Sequence, residues 1–211
     1  MRPTRIVIFA KAPVPGRVKT RLVPALGEIG AARLAHKMLL ATIAEAAAAG
    51  LATPELCATP DPSHPDWQPF LPKAAIRYAD QGEGTLGERL ARASSRVILA
   101  GENILLIGTD CPTLDRRKLS AAAAALLTND AVIHPAVDGG YALLGLRRFD
   151  PSIFEEIAWS GPSVAGSTTA RIKALGWCLA IGETLRDIDM PEDLEIAGET
   201  ALLRLRKTRP G

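Results

Sequence analysis

Short, unbroken runs of β-branched and aliphatic residues recur along this chain. Nearly every one stops at a loop carrying Gly, Pro or Asp before a helix-length segment begins. Arg5-Ile-Val-Ile-Phe-Ala10 is the first such run and Asn103 to Ile107 the clearest. A strand with no polar face is covered on both sides, as parallel strands are when helices pack above and below them. Further strands are predicted at residues 54–59, 76–79, 131–134, 141–146 and 177–181. Helices are predicted at 30–49, ended by Gly50, and at 115–127 and 163–175. Another should run from 85 to about 99, because Thr85-Leu-Gly-Glu88 has the spacing in which a Thr hydroxyl and a Glu carboxylate satisfy opposing backbone donors. Pro191 suits the first turn of a last helix, with Glu192 and Asp193 favourable toward its dipole. Strands alternating with helices predict an α/β fold, a single-domain three-layer sandwich with a mainly parallel central sheet.

Length and charge limit what such a domain does. The chain has 211 residues, 25 Lys+Arg against 23 Asp+Glu, and a formal charge of +2. A domain of this size buries its own core without disulfide or metal staples. Balanced charge gives no reason to expect nucleic acid or a membrane surface as partner. Cys57, Cys111 and Cys178 are too scattered for a disulfide framework or a metal knuckle. The run Ile6 to Ala10 is too short for a signal-peptide core, and no stretch has the length of a membrane span, so a cytoplasmic location is expected. The basic end, Arg204 to Arg209, reads as a solvated tail.

Ligands of open α/β sheets collect beyond the carboxyl ends of the strands, and three loops there are rich in reactive groups. After the opening strand come Gly16, Arg17, Lys19, Thr20 and Arg21. Small residues followed by several cations suit a loop folded around phosphates. The competing reading is a plain basic surface loop, and the sequence is neither a Walker A loop nor GxGxxG. Gly108-Thr-Asp110-Cys-Pro112 closes the clearest strand. A carboxylate there is costly unless paired, hydrogen-bonded or bound to a cation, which makes Asp110 a candidate Mg²⁺ ligand or, more simply, a turn cap. Cys111 reads as a small buried residue rather than a nucleophile. Asp138-Gly139-Gly140-Tyr141 sets a carboxylate beside a thin backbone, or forms a Gly-Gly turn with an Asx cap. Asp187-Ile-Asp189 precedes Pro191, and capping explains one of its acids. His36, His64 and His134 lack metal-ligand spacing.

FAKAPVPGRVKTRL, QGEGTLGERL, IGTDCPTL, DGGYALLGL and DIDMPEDL, in this order, resemble the bacterial transferases labelled glycosyltransferase or radical-SAM/selenodomain-associated transferase. These belong to the nucleotide-diphospho-sugar transferase (GT-A) superfamily. The resemblance spans about residues 5 to 197. Lys19-Thr-Arg-Leu22 is also similar to the opening of phospholactate guanylyltransferases, and DIDMPEDL to the ending of molybdenum-cofactor nucleotidyltransferases. The resemblance implies that Lys19 and Arg21 bind nucleotide phosphates, with further nucleotide contacts at Ala10, Lys11, Gly16 and Arg17. It extends these to Gly82 and Gly87. It puts Asp110 and Asp189 in the place of the metal carboxylates and Lys19, Asp110 and Asp138 in the catalytic set. The acceptor falls to Gly139, Gly140 and Tyr141. The chain departs from the family at Thr85, where Asp is usual, at Met190, where Thr is usual, and in having Asp110 without a DxD partner.

The expectation is therefore a Mg²⁺- or Mn²⁺-dependent transferase that uses a nucleotide-diphospho-sugar or a nucleoside triphosphate and a small-molecule acceptor. Metal and cations would offset charge on the departing diphosphate. Nucleotidyl transfer with release of pyrophosphate is the alternative chemistry. A nucleotide-sensing module is a third reading, disfavoured because a sensor needs cations but not both Asp110 and Asp189. Base, acceptor and oligomeric state are left open by the sequence.

Overall fold

The computed structural model describes residues 2–71, 74–159 and 161–195. Seven strands form one sheet: β1 (Thr4–Lys11), β2 (Glu55–Thr59), β3 (Arg77–Asp80), β4 (Asn103–Ile107), β5 (Ala131–Pro135), β6 (Tyr141–Leu146) and β7 (Leu179–Ile181). Their order across the sheet is β3-β2-β1-β4-β6-β5-β7. β1 pairs in parallel with β2 and β4, β2 with β3, and β5 with β7. β6 alone runs antiparallel, between β4 and β5. Residues 136–140 connect β5 to β6, and five residues turn a chain back on itself but are too few for a parallel crossover.

Alternation along the central strands assigns the two faces. Ile6 and Ile8 of β1, with Leu105 and Ile107 of β4, pack with Leu39 and Ile43 of α1 (Val23–Ala48) and Leu119 of α3 (Arg116–Ala125). Val7, Ile104 and Leu106 point the other way, onto Leu90 and Val97 of α2 (Leu86–Leu99) and Ile172 of α4 (Val164–Ala174). Each fully buried Ile or Leu contributes about 1.5–3 kcal/mol, so both faces of β1 and β4 are committed to the core and only their ends remain for chemistry.

Most predicted elements are present, with shifted ends. The box at the start of α2 forms: Thr85 N–H donates to Glu88 Oε2 at 2.6 Å and Glu88 N–H to Thr85 Oγ1 at 3.3 Å. Asp115 caps α3, accepting from the Arg117 and Lys118 amides at 3.1 Å each. α1 starts earlier than the predicted 30, but Gly27 (φ 68°, ψ 166°) breaks it, so the regular helix lies beyond that residue. The strand predicted at 177–181 is confined to Leu179–Ile181. Pro191–Asp193 forms a 3₁₀ turn. The rest of the helix predicted after Pro191 and the basic tail lie outside the described residues.

Candidate functional site

The carboxyl ends of β1, β4 and β5 open on one cleft, and the segment after β7 is sewn to it by backbone bonds. Leu185 N–H donates to Pro135 O at 2.8 Å, Val137 N–H to Leu185 O at 3.0 Å, and Ile188 N–H to Asp110 O at 2.8 Å. Ile188 is buried with Leu22, Ala31 and Met38. Because neighbouring residues alternate in direction, anchoring Ile188 sets Asp187 and Asp189 at the cleft on either side of it. Asp193 holds the next turn, accepting from the Asp189 and Met190 amides at 3.1 and 2.8 Å.

The cleft has two adjoining compartments. The larger, about 610 Å³, is lined by Lys19, Arg21, Asp110, Asp138, Asp187 and Asp189 together with Phe9, Leu86, Leu90, Tyr141, Trp159 and Val164. The smaller, about 280 Å³, is lined by Ala10, Lys11, Arg17 and Lys19, with Asp110 and Asp189 again present. Lys19, Asp110 and Asp189 belong to both and form the seam. Lys19 Nζ lies 2.8 Å from Asp110 Oδ1 and 3.6 Å from Asp189 Oδ1, and donates to Ile188 O at 2.6 Å. Arg21 reaches Asp189 Oδ2 at 2.5 Å.

The structure thus brings together Ala10, Lys11, Arg17, Lys19, Arg21, Asp110, Asp138, Gly140, Tyr141 and Asp189 of the residues singled out in the sequence. Gly139 stands just behind them. Its φ is +90°, and a Cβ there would collide with Pro162 O, so the turn carrying Asp138 packs against the loop that leads into α4. Asp138 Oδ1 accepts from the Gly140 amide at 2.8 Å, the Asx turn that was the competing reading, while the same side chain lines the cleft. Gly16, Gly82 and Gly87 line neither compartment. Gly87 sits where a Cβ would be 2.6 Å from Phe154 O and 2.8 Å from Trp159 Nε1, a packing reason for glycine. Gly82 (φ +72°) faces Arg92 in a turn that Gln81 ties to Ala10 O at 3.1 Å and Cys57 O at 2.9 Å. Thr85 is the cap of α2 and lines neither compartment.

Of two further residues at the cleft, Asp187 was named in the sequence without a role of its own and Trp159 was not marked at all. Asp187 was covered by the simpler explanation of helix capping, although its two-residue spacing from Asp189 was the available signal. Burial pushes its carboxyl above the ordinary carboxylate range, and the charges of Asp138 and Asp189 push the same way, opposed by Lys19. Trp159 lies in a Gly/Pro-bounded loop without periodicity, so nothing in the sequence marked it. Cys111 also lines the larger compartment; burial pushes its thiol up, as expected of a packed side chain rather than a nucleophile. The Tyr141 hydroxyl is buried without a hydrogen-bond partner among the described residues, and burial pushes that phenol up as well.

Strand order, the reversed β6 and the position of the cleft define the nucleotide-diphospho-sugar transferase fold. A protein from Desulfovibrio desulfuricans G20, provisionally described as a nucleotide-diphospho-sugar transferase, superposes with a TM-score of 0.85 at 27% identity, over 98% of this chain and 95% of that one. A CMP:2-keto-3-deoxy-manno-octonic acid synthetase complexed with CTP superposes with a TM-score of 0.61 at 13% identity, over 97% and 99%. Rv0371c from Mycobacterium tuberculosis H37Rv, solved with manganese, gives 0.55 at 17% identity, over 92% and 97%. The chain belongs to the family DUF2064, described as "Uncharacterized protein conserved in bacteria", whose model matches residues 42–161. No curated protein matches it in sequence. Among the described residues no helix is long and apolar enough to cross a membrane.

Proposed function

We propose that this chain is a divalent-metal-dependent transferase that takes a nucleotide-diphospho-sugar and passes the sugar to a hydroxyl of a small-molecule acceptor. The observation that carries the reading is the division of charge along the cleft. Lys11 and Arg17 lie in the smaller compartment, Lys19 and Arg21 at or beside the seam, and Asp138 and Asp187 in the larger compartment with no ion pair among the described residues. A diphosphate is held best at the basic side and the seam, by Lys as a point charge and Arg as a planar fork. An acceptor bearing a phosphate would meet Asp138 and Asp187 on the other side, and like charges there oppose it. A neutral hydroxyl compound with an apolar face against Trp159, Leu86 and Leu90 fits that compartment.

Asp110 and Asp189 suit a hard cation. Both offer carboxylate oxygens, and they already converge on one positive group, the Lys19 ammonium. Among the described residues no group of three or more His, Cys, Asp or Glu side chains is placed to hold a metal ion, which leaves the two carboxylates. Mg²⁺ and Mn²⁺ commonly accept one or two carboxylates and complete their shell with water and substrate phosphate. Asp110 and Asp189 would hold such an ion, whose charge would offset that on a departing nucleoside diphosphate. Arg21 and Lys19 add to that neutralisation, and Asp138, fixed by its Asx turn, takes the proton of the attacking hydroxyl. A structure of the same fold complexed with CTP and another complexed with manganese support a nucleotide and a divalent ion as ligands of this fold.

Incubation with a panel of nucleotide-diphospho-sugars, Mn²⁺ and a small-hydroxyl metabolite extract should release nucleoside diphosphate. Asp138→Asn should lower that rate by about 10²–10⁴ with little change in donor KM. Nucleotidyl transfer is the competing chemistry. Pyrophosphate released from a triphosphate, with every nucleotide-sugar left intact, overturns the sugar-transfer reading in its favour.

A further inference from the structure

Lys19 is the unexpected residue of the cleft. Its neighbours in the basic loop, Arg17 and Arg21, are 63% and 65% exposed, whereas the Lys19 side chain is 5% exposed. Its backbone is left-handed (φ 48°, ψ 41°), a conformation that costs energy at any residue with a Cβ. Neither feature suits a lysine kept free in solution for an incoming phosphate. An ammonium has three N–H donors, and here it meets three protein oxygens: Ile188 O, Asp110 Oδ1 and Asp189 Oδ1. It therefore occupies the gap between the two carboxylates assigned above to the divalent ion. Mg²⁺ binds oxygen at about 2.0–2.1 Å. An ion at that distance from the same oxygens is repelled by an ammonium already 2.8 Å from one of them.

We propose that Lys19 is a resident cation that exchanges with the divalent metal. This inference rests on the metal assignment of the proposed function. Without metal, the ammonium screens Asp110 from Asp189 and ties the β1 loop, the β4 loop and the segment after β7 into one unit. When the ion takes the carboxylates, charge repulsion expels Nζ from between them. The side chain then stands at the seam of the two compartments, free to meet a phosphate of the ligand. The exchange couples the two ligands: metal alone must displace an internal cation, and a diphosphate that receives the displaced ammonium favours metal binding.

Two measurements with Mn²⁺ as the only ligand test the exchange. In calorimetric titration without nucleotide, Lys19→Met should bind Mn²⁺ about tenfold more tightly than the parent, because a charge-assisted contact no longer has to be broken. Asp110→Asn in the Lys19→Met background should abolish the gain. Equal or weaker Mn²⁺ binding by a folded Lys19→Met chain overturns the exchange and leaves the metal assignment standing. Absence of Mn²⁺ binding in parent and variant alike overturns both. The second measurement needs no variant: amine-directed labelling read by mass spectrometry should modify Lys19 at least about fivefold faster with Mn²⁺ than without. Labelling at Lys19 that is unchanged or slowed by Mn²⁺ overturns the exchange even where Lys19→Met fails to fold.

Discussion

At the amino end of the sheet, Arg5 of β1 bonds Glu55 of β2 at 3.1 Å and Glu102, just before β4, through two of its nitrogens. Arg96 of α2 closes on Glu55 at 2.5 and 2.8 Å, and Arg77 approaches Glu102 at 3.7 Å. At the carboxyl end, Asp110, Asp138, Asp187 and Asp189 face Lys19 and Arg21 across an open cleft. Both clusters are built from the same groups, on ends of the same strands. The first has a guanidinium for every carboxylate and its acids are shielded from water: Glu55 is 3% exposed and Glu102 13%. The second has more carboxylates than cations, and Asp110 is 52% exposed. A closed, balanced cluster has nothing to offer a ligand, and an open, acid-rich one is completed only by cations from outside. The difference separates an end of the sheet closed on itself from one open to ligands.

The largest expected effect breaks the closed cluster. Glu55→Gln keeps the shape but leaves Arg5 and Arg96 without their shared charge, and losing one partner of a buried pair costs about 3–5 kcal/mol. Urea denaturation should show that loss while nucleotide and Mn²⁺ binding stay unchanged. Acid tests the same group. Burial alone would raise the Glu55 carboxyl, but the hydrogen bonds and charges of Arg96 and Arg5 outweigh it and hold it below its ordinary value of 4.5. A folded-state value below the unfolded one gives stability that is complete above the ordinary value and is lost as pH falls through the folded one. Glu55→Gln should therefore lack that part of the acid decline. A variant that loses less than about 1 kcal/mol and keeps the parent's acid profile contradicts the closed-cluster picture.

What could be read from the sequence follows the same divide. β4 and β6 were placed at their observed bounds, since their apolar runs are complete, the first stopping at Gly108 and the second starting after Gly140. Asp110, Asp138 and Asp189 were singled out as acids in loops after strands, each with capping as the competing reading, and the metal roles of Asp110 and Asp189 came from the family resemblance. The closed cluster was invisible: Arg5, Glu55, Arg96 and Glu102 are each ordinary in sequence and meaningful only once four elements converge. The destination of Lys19 was hidden for the same reason, as its partners are Asp110, Ile188 and Asp189, far along the chain. The start of α1 was missed because Gly27 breaks the periodicity that marks a helix. The reversal of β6 was legible in principle from its five-residue connection to β5.

A smaller effect on folding is expected at the open end. Asp110→Asn removes one carboxylate from an acid-rich, half-exposed group, so stability should move by no more than about 1 kcal/mol, the range of exposed ion pairs. Mn²⁺ binding in the presence of nucleotide should fall, because an amide lacks the charge the cation needs. Calorimetry and urea denaturation on the same preparation separate the two results. A destabilisation comparable to that of Glu55→Gln would place Asp110 in a structural cluster and erase the contrast between the ends.

The smallest effect on the fold belongs to Arg21→Ala, and it sharpens the comparison most. Arg21 is 65% exposed, and its ion pair with Asp189 is held at the rim of the cleft. Such a pair contributes little once water and salt compete, so unfolding free energy should stay within about 0.5 kcal/mol of the parent. Its guanidinium still has donors beyond the one spent on Asp189, and a diphosphate arriving at the seam is a better partner than a carboxylate already shared with Lys19. A charge-assisted hydrogen bond is worth about 1.5–3 kcal/mol, so nucleoside triphosphate and nucleotide-sugar binding should weaken about ten- to a hundredfold. A monophosphate should lose less, because it offers fewer phosphates to the seam. At the closed end no such split between folding and binding is available: the guanidinium of Arg96 is committed to Glu55, and its removal registers only as lost stability. If Arg21→Ala leaves nucleotide affinity untouched, Arg21 merely screens Asp189. The diphosphate must then be held from the other compartment, by Lys11 and Arg17.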